Sequence, residues 1–409
     1  MGKHHVIGNY YSLLIIITAS LGLVSCENSN TQDSLIDLNK KVIIEESFDL
    51  SYDPFLNISS PEAQSQVFSN FLLAEKFGYS LPGSVKAHQL EELFLKIKRG
   101  YSLEKGTVNS LIKRQYHAFP HAMDVFVTTH LLLSSGGGVF LTDAEEAALL
   151  IAALGHDALH SGVFNSFLIK SNHPYALEDG NKSIQEKRSL KFLLKTLDSQ
   201  KILIPDSGLE DREKNSALNC RKLIKAAILW TDMARHKEQV KAVNEILPIL
   251  VDELNKARKD IHQNESELGA TQLDITKGLD ISSQLPVEIR HLVAGFILHC
   301  ADVSNLGKPW NISEKWAFLV CSEFFTQGDL EKQLKMEVSM NCDRVTTSIP
   351  NTQINFGKYV IAELYELLAK IINDSGKEII TNYKANQERW NSLLAEEKES
   401  GSRYQYIQP

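Results

Sequence analysis

The sequence predicts an all-α protein, folded as a single multi-helix domain. Apolar residues recur with helical spacing, turn signals such as Leu81-Pro82-Gly83 separate the apolar runs, and no long alternating strand pattern is present. Residues 147–154 are apolar on nearly every side, which is typical of a helix buried inside a larger body. A chain of 409 residues with 43% hydrophobic residues is long enough to bury such a core.

The N-terminal 26 residues carry a targeting pattern. Lys3 precedes an apolar run over residues 13–24, which ends at the small-residue site Val24-Ser25-Cys26. This pattern resembles a bacterial lipoprotein signal. We therefore expect a lipid on Cys26, export to the periplasmic or cell-surface side, and membrane contact through that lipid. An uncleaved membrane anchor is the alternative, but the apolar run is short for a span. We exclude residues 1–26 from the fold and interpret 27–60 as a polar tether and lead-in.

The helical domain is predicted over residues 61–400. Thr142 followed by Glu145 forms a capping box, which predicts the start of the central helix. Residues 255–284 are polar and acidic, so we interpret them as an elongated loop or helix extension on the surface. Residues 329–337 form a charged excursion between helices. The other predicted helices cover residues 68–77, 85–99, 107–113, 125–133, 184–197, 207–230, 238–254, 286–298, 314–325, 356–372 and 377–398.

Three ionisable residues follow the apolar part of the central helix directly. They are His156, Asp157 and His160, and we expect the two histidines to share a helical face because residues four apart do so. Ionisable groups at the end of a buried helix cost free energy unless they are paired or coordinated. A bound metal ion explains all three.

Two other segments supply further metal ligands. His117 and His121 form a second pair of histidines four apart, and Asp302 follows the apolar run at 292–298. Together these segments offer a histidine, a His-Asp doublet and a distant aspartate, the mixed donors that hold zinc, manganese, iron or magnesium. A carboxylate between two cations can bridge them, so Asp157 is a candidate bridging ligand.

These motifs resemble the HD superfamily of metal-dependent phosphohydrolases and, within it, the class I 3′,5′-cyclic nucleotide phosphodiesterases. The resemblance covers roughly residues 71–366, and within it the segment at 255–284 has no counterpart in the family core. A single His-Asp doublet is a weak signal, but five motifs in the family's order are a specific one. The five matching segments are residues 116–125, 156–167, 229–236, 299–305 and 348–356.

The resemblance implies an all-helical catalytic domain with a deep binuclear metal pocket. The first ion, zinc, would be held by four side chains: His121, His156, Asp157 and Asp302. The second ion, magnesium or manganese, would share Asp157. A hydroxide between the two ions would attack the phosphorus of a 3′,5′-cyclic nucleotide and give a nucleoside 5′-monophosphate.

The resemblance also assigns roles to residues near the metals. His117 would be the general acid that protonates the leaving oxygen, and Glu186 would orient His117. His160 and Thr231 would lie beside the waters of the metal site.

A nucleotide-base pocket follows from the same resemblance. Gln353 would hydrogen-bond the base, Phe356 would stack on it, Val320 would form the opposite wall, and Asn305 would read the base. Leu306 stands where the family usually has proline, which affects pocket shape. The segment at 348–356 favours cAMP as substrate, with cGMP possible.

Two alternatives stay open at this point. The chain could be another HD-type nucleotide phosphohydrolase, or a non-catalytic, lipid-anchored nucleotide sensor. Gln353 and Phe356 argue against the first, since a generic HD enzyme does not need a cyclic nucleotide pocket. The complete ligand set together with His117 argues against the second.

Charge and cysteine content limit the other function classes. The net charge is -8 and the pI is near 5.9, and no segment concentrates basic residues, so we expect no nucleic-acid partner. Four cysteines follow Cys26 without the close spacing of a metal knuckle or redox pair. We therefore predict four buried free thiols.

Overall fold

The computed structural model describes residues 50–54, 68, 81–83, 85–102, 114–205, 208–265, 279–372 and 374–405. No strand occurs within these ranges, so the predicted all-α class is confirmed. The α-helices, numbered in chain order within these ranges, are α1 (Ala87–Gly100), α2 (Phe119–Ser134), α3 (Asp143–Gly155), α4 (Asn165–Lys170), α5 (Pro174–Asp179), α6 (Ile184–Gln200), α7 (Asp211–Leu229), α8 (His236–Glu265), α9 (Val287–Asp302), α10 (Trp310–Gln333), α11 (Ile349–Phe356), α12 (Ala362–Ile371) and α13 (Glu378–Ser400).

Shorter elements join these helices at several points. One π-helical segment, Gly357–Ile361, connects α11 to α12. The 3₁₀ helices are Gly137–Phe140, Met233–Arg235, Ser282–Gln284, Ser304–Gly307 and Asp374–Lys377. Among the described helices, none combines the length and apolar character that crossing a membrane requires.

Helix α3 lies at the centre of the packing. It contacts α2, α7 and α9, and α9 also contacts α2 and α7. Every residue from Ala147 to Gly155 is buried, as the apolar run predicts. His156 and Asp157, which follow α3 directly, are buried as well. The ionisable residues at the end of α3 therefore lie inside the protein.

The N-terminal ends of α3 and α9 are joined by a buried ion pair. The predicted capping box is present, since the Glu145 backbone N–H donates to Thr142 Oγ1 and the Thr142 N–H donates to Glu145 Oε2. Arg290 of α9 donates from Nε to Glu145 Oε2 at 2.8 Å, and Asn219 of α7 donates to Glu145 Oε1 at 2.6 Å. One carboxylate thus caps α3 and holds two neighbouring helices in register.

Neither pair of histidines four residues apart lies on one continuous helix. Helix α2 begins at Phe119 with Pro120 in its first turn, so His117 precedes the helix that carries His121. Helix α3 ends at Gly155, and Leu159 adopts a left-handed φ of 65°. The prediction that His156 and His160 share a helical face is therefore wrong, because the chain leaves the helix between them.

Other boundaries differ because helices extend into polar sequence. Helix α8 continues to Glu265, which confirms a helix extension in part of 255–284, while residues 266–278 lie outside the described residues. Helix α10 continues to Gln333, so the first half of the predicted excursion at 329–337 is helical. The predicted helix over 107–113 and most of that over 68–77 lie outside the described residues. As predicted, the four cysteines are buried free thiols: Cys220, Cys300, Cys321 and Cys342.

Candidate active site

A cavity of about 480 Å³ lies where the C-terminal ends of α3 and α9 meet α10 and α11. Its walls combine carboxylates and histidines with aromatic side chains, including Phe164, Phe324 and Phe356. The predicted site residues that contribute to the walls are His117, Asp157, His160, Glu186, Thr231, Asp302, Asn305, Val320, Gln353 and Phe356. His121 and His156 lie behind the wall and reach Asp157 and Asp302 with their ring nitrogens.

The four predicted metal ligands form one tight cluster. His121 Nε2 lies 3.0 Å from Asp302 Oδ1 and 3.6 Å from Asp157 Oδ2. His156 Nε2 lies 3.3 Å from the same Asp302 oxygen and 3.2 Å from the same Asp157 oxygen. Two imidazole nitrogens and two carboxylate oxygens therefore point at a common centre, although they come from three separate parts of the chain.

The chemistry of His156 indicates a cation at that centre. Its Nδ1 lies 2.7 Å from the Ala153 carbonyl oxygen, which can only accept, so Nδ1 carries the hydrogen. Nε2 of the neutral ring is then a buried lone pair that faces two carboxylates and has no hydrogen-bond partner in the described part of the chain. Burial alone would lower the pKa of His156, but Asp157 and Asp302 raise it well above the usual value. A proton or a metal ion is required there, and the mixed donor set fits a divalent metal.

His117 is paired with the carboxylate of Glu323 on α10. His117 Nδ1 contacts Glu323 Oε1, and the other Glu323 oxygen accepts the backbone N–H groups of Gln115 at 3.1 Å and Tyr116 at 3.0 Å. Burial would lower the pKa of His117, but Glu323 raises it to about 9. Burial likewise would raise the pKa of Glu323, and the His117 cation lowers it to about 2. At neutral pH His117 is an imidazolium held by an ionised carboxylate.

His160 stacks on His117 but stays neutral. The two ring centroids lie 3.8 Å apart at an interplanar angle of 26°. Burial and then the His117 cation lower the pKa of His160 to about 3. The Gly162 backbone N–H donates to His160 Nδ1 at 3.1 Å, so the ring hydrogen is on Nε2. In the cluster of His117, His160 and Glu323, the positive charge beside the carboxylate is therefore the protonated His117 ring rather than a metal ion.

Glu186 differs from its predicted role. The carboxylate that contacts His117 is Glu323, and Glu186 instead accepts the Asn165 side-chain amide at 3.0 and 3.3 Å. Burial and then Asp232 raise the pKa of Glu186 to about 7. Glu186 lines the cavity, so it faces the site without orienting the acid.

The 3′5′-cyclic nucleotide phosphodiesterase family matches residues 116–383 of this chain. The chain belongs to this family. Among the curated relatives, a dual specificity calcium/calmodulin-dependent 3′,5′-cyclic nucleotide phosphodiesterase of Drosophila melanogaster is 28% identical over 76% of this chain and 32% of its own length. The 3′,5′-cyclic-AMP phosphodiesterase isoform F of the same organism is 29% identical over 68% of this chain and 38% of its own length. The chain thus spans about a third of these relatives.

Solved phosphodiesterase structures share the fold. The phosphodiesterase domain of the Salpingoeca rosetta rhodopsin phosphodiesterase superposes with a TM-score of 0.66 at 22% identity, over 87% of this chain and 95% of that chain. The structure of LmjPDEB1 in complex with IBMX superposes with a TM-score of 0.64 at 24% identity, over 87% of this chain and 96% of that chain. The phosphodiesterase fold therefore extends beyond the segment that the family match covers.

The remaining predicted site residues line the same cavity. Gln353 is buried on α11, and Asn305 is buried in the 3₁₀ segment after α9. Val320 and Phe356 also contribute to the walls. Thr231 lines the cavity and donates its hydroxyl to the Ile228 carbonyl at 2.9 Å, which leaves its oxygen lone pairs available.

Sequence reasoning missed Glu323, although it carried a signal. Glu323 is the one carboxylate in the mostly apolar stretch from Trp316 to Phe325, and it is 1% exposed. A charged residue in such a position is rarely buried without a partner. Its partner lies 206 residues away in sequence, so nothing local could identify it.

Proposed function

We propose that this chain hydrolyses 3′,5′-cyclic nucleotides to nucleoside 5′-monophosphates, with cAMP favoured over cGMP. The observation that carries the proposal is the shared cavity: a protonated His117, held by Glu323, lies beside a four-ligand histidine-aspartate cluster. Hydrolysis of a phosphodiester needs both a proton for the leaving oxygen and stabilisation of negative charge on the phosphate.

The metal centre would stabilise the negative charge on the phosphate and activate the attacking water. His121, His156, Asp157 and Asp302 would hold the first ion, which we propose is zinc, and Asp157 would be shared with a second ion, magnesium or manganese. Bound divalent ions lower the pKa of water and offset the negative charge that develops on the phosphate.

His117 completes the reaction by proton transfer. As water adds to phosphorus, the bond from phosphorus to O3′ breaks and the leaving alkoxide is strongly basic. His117 donates its proton to O3′, and the proton released by the attacking water restores the imidazolium. Glu323 is ionised while His117 carries its proton, because that cation lowers the pKa of the carboxyl to about 2. His160 remains neutral, which prevents a second positive charge from lowering the pKa of His117.

The aromatic part of the cavity would bind the base. Gln353 offers an amide that can pair with a purine edge, while Phe356 and Val320 offer apolar faces to its ring. The preference for cAMP is supported by Asn305 and by curated relatives that are named 3′,5′-cyclic-AMP phosphodiesterases.

The test is hydrolysis of cAMP and cGMP by the purified protein in zinc with magnesium or manganese. We expect 5′-monophosphate from wild type and no detectable product from Asp302→Ala. The matched control is Asp329→Ala, which removes a carboxylate of α10 that pairs with Arg344 and does not line the cavity. Release of a different product, such as inorganic phosphate from a nucleotide, would favour another HD-type phosphohydrolase. Metal and nucleotide binding without any turnover would favour a sensor.

We also propose that the protein is exported and anchored to a membrane by a lipid on Cys26. The support is the sequence pattern at residues 13–26, which lies outside the described residues. The lipid would hold the phosphodiesterase domain at a membrane surface, where its substrate would be extracytoplasmic cyclic nucleotide.

A further inference from the structure

The turn that follows α3 carries three site residues but lacks helical support. His156, Asp157 and His160 all lie between the end of α3 at Gly155 and the next helix. Leu159 within the turn has a φ of 65°, a left-handed conformation that costs free energy in a branched, non-glycine residue. Contacts from other parts of the chain must therefore hold this turn in place.

Tyr101 is bonded to the backbone at the start of the turn. It directly follows α1, and its side chain is buried. The Tyr101 hydroxyl donates to the Leu154 carbonyl at 2.9 Å and accepts the Asp157 backbone N–H at 3.2 Å. A single hydroxyl thus connects the last turn of α3 to the peptide of a metal ligand.

Arg114 is bonded to the backbone at the end of the turn. Its Nη1 donates to the His160 carbonyl at 2.9 Å, and its Nη2 donates to the carbonyls of Tyr101 at 3.0 Å and Ser102 at 2.8 Å. The Leu159 N–H also donates to the Gly100 carbonyl at 2.9 Å. The planar guanidinium therefore ties the end of the turn to the same segment that holds its start.

We propose that Tyr101 and Arg114 are positioning residues that set the affinity of the site for divalent metal. They fix the backbone on both sides of Asp157, whose carboxylate oxygen lies 3.2 Å from His156 Nε2 and 3.6 Å from His121 Nε2. Both residues precede the family match at 116–383, so the match assigns them no role. The inference rests on the metal centre of the proposed function, but not on its substrate.

The expected size of the effect follows from how metal sites respond to their supports. Groups that orient metal ligands typically contribute about 10- to 100-fold to metal affinity. Tyr101→Phe removes only a hydroxyl and leaves the ring, which packs edge-on against Phe119 at 5.8 Å. Arg114→Met removes the fork of donors and retains much of the side-chain volume.

The experiment measures Mn²⁺ binding by calorimetry on the full chain after chelation, without nucleotide. We expect Tyr101→Phe and Arg114→Met each to weaken Mn²⁺ binding about 10-fold. The matched control is Tyr365→Phe, since the buried Tyr365 hydroxyl has no hydrogen-bond partner in the described part of the chain, and we expect wild-type Mn²⁺ affinity.

Melting temperatures in chelator separate positioning from folding. A purely structural role would lower the melting temperature of both variants while leaving the Mn²⁺ dissociation constant at the wild-type value, and that result overturns the proposal. If Arg114→Met does not fold, Arg114→Lys retains the charge without the fork, and it must still weaken Mn²⁺ binding. Wild type that binds Mn²⁺ but leaves cyclic nucleotides intact would refute the proposed function and leave this inference standing.

Discussion

Replacing Glu323 with glutamine tests the assignment of His117 as the proton donor. The amide keeps the shape of the side chain and one acceptor for the backbone N–H groups of Tyr116 and His117, but removes the charge beside the imidazolium. With Glu323 present, the pKa of His117 is raised to about 9. Asp157 and Asp302 also raise the pKa of His117, but bound metal ions would offset their charges. Without the Glu323 charge in the metal-loaded protein, burial again lowers the pKa of His117, as it lowers the pKa of the buried His130 to about 3.

The size of the loss follows from the protonated fraction. At about pH 7.5 a group with a pKa of about 9 is about 97% protonated, whereas a histidine at its ordinary pKa of about 6.5 is about 9% protonated. The variant should therefore lose at least about 10-fold in kcat. If burial lowers the pKa of His117 below its ordinary value, the loss of kcat increases toward the ~10²- to 10⁴-fold range of general acid catalysis. The alkaline limb of the profile should shift from about 9 to below about 6.5.

The assay is kcat for cAMP hydrolysis from about pH 5 to about pH 10, at saturating substrate and metal. Glu337→Gln, which alters an exposed carboxylate after α10, is the matched control and should follow the wild-type profile. If Glu323→Gln retains both the wild-type kcat and the wild-type alkaline limb of the pH profile, Glu323 is not the group that keeps His117 protonated, and the assignment is refuted.

Three further predictions concern stability and location. Arg290→Ala leaves the buried Glu145 carboxylate unpaired and should destabilise the fold by about 3–5 kcal/mol in urea unfolding, whereas Arg344→Ala at an exposed ion pair should cost under about 1 kcal/mol. Burial raises the pKa of Glu146 to about 8, so the folded state binds more protons and stability should fall as pH rises from about 4.5 through 8. Glu146→Gln should flatten that slope, and an unchanged slope would contradict the assignment. Cys26→Ser should abolish labelling by radioactive palmitate and release the protein from the membrane fraction; retention of the label would contradict the lipid site.

The sequence motifs predicted the cluster of two histidines and two aspartates because metal-ligand chemistry restricts residue type. Burying an ionisable side chain costs free energy unless it is paired or coordinates a metal. The positions of His121, His156-Asp157 and Asp302 beside buried helices therefore indicate a site. Central helix α3 was equally predictable, since its apolar run has no polar face and its capping box marks its start.

The local geometry of the ligands could not be predicted in the same way. Spacing of four residues suggested a shared helical face for His156 and His160, but the left-handed Leu159 turns the chain between them. That conformation is held by Gly100, Tyr101 and Arg114, which are distant in sequence and carry no ligand chemistry. A spacing rule describes a regular element, and this turn is defined by tertiary hydrogen bonds instead.

In the stacked pair of His117 and His160, the partner carboxylate decides which ring is positively charged. Two imidazolium rings 3.8 Å apart would repel strongly in a buried site, so only one of His117 and His160 can be positively charged. Residue type does not distinguish them, because both are histidines that line the same cavity. Glu323 contacts His117 alone, while His160 Nδ1 accepts a neutral backbone N–H from Gly162. The division into a charged ring and a neutral neighbour is therefore imposed by Glu323 of α10, a helix that lies outside the five matching sequence segments.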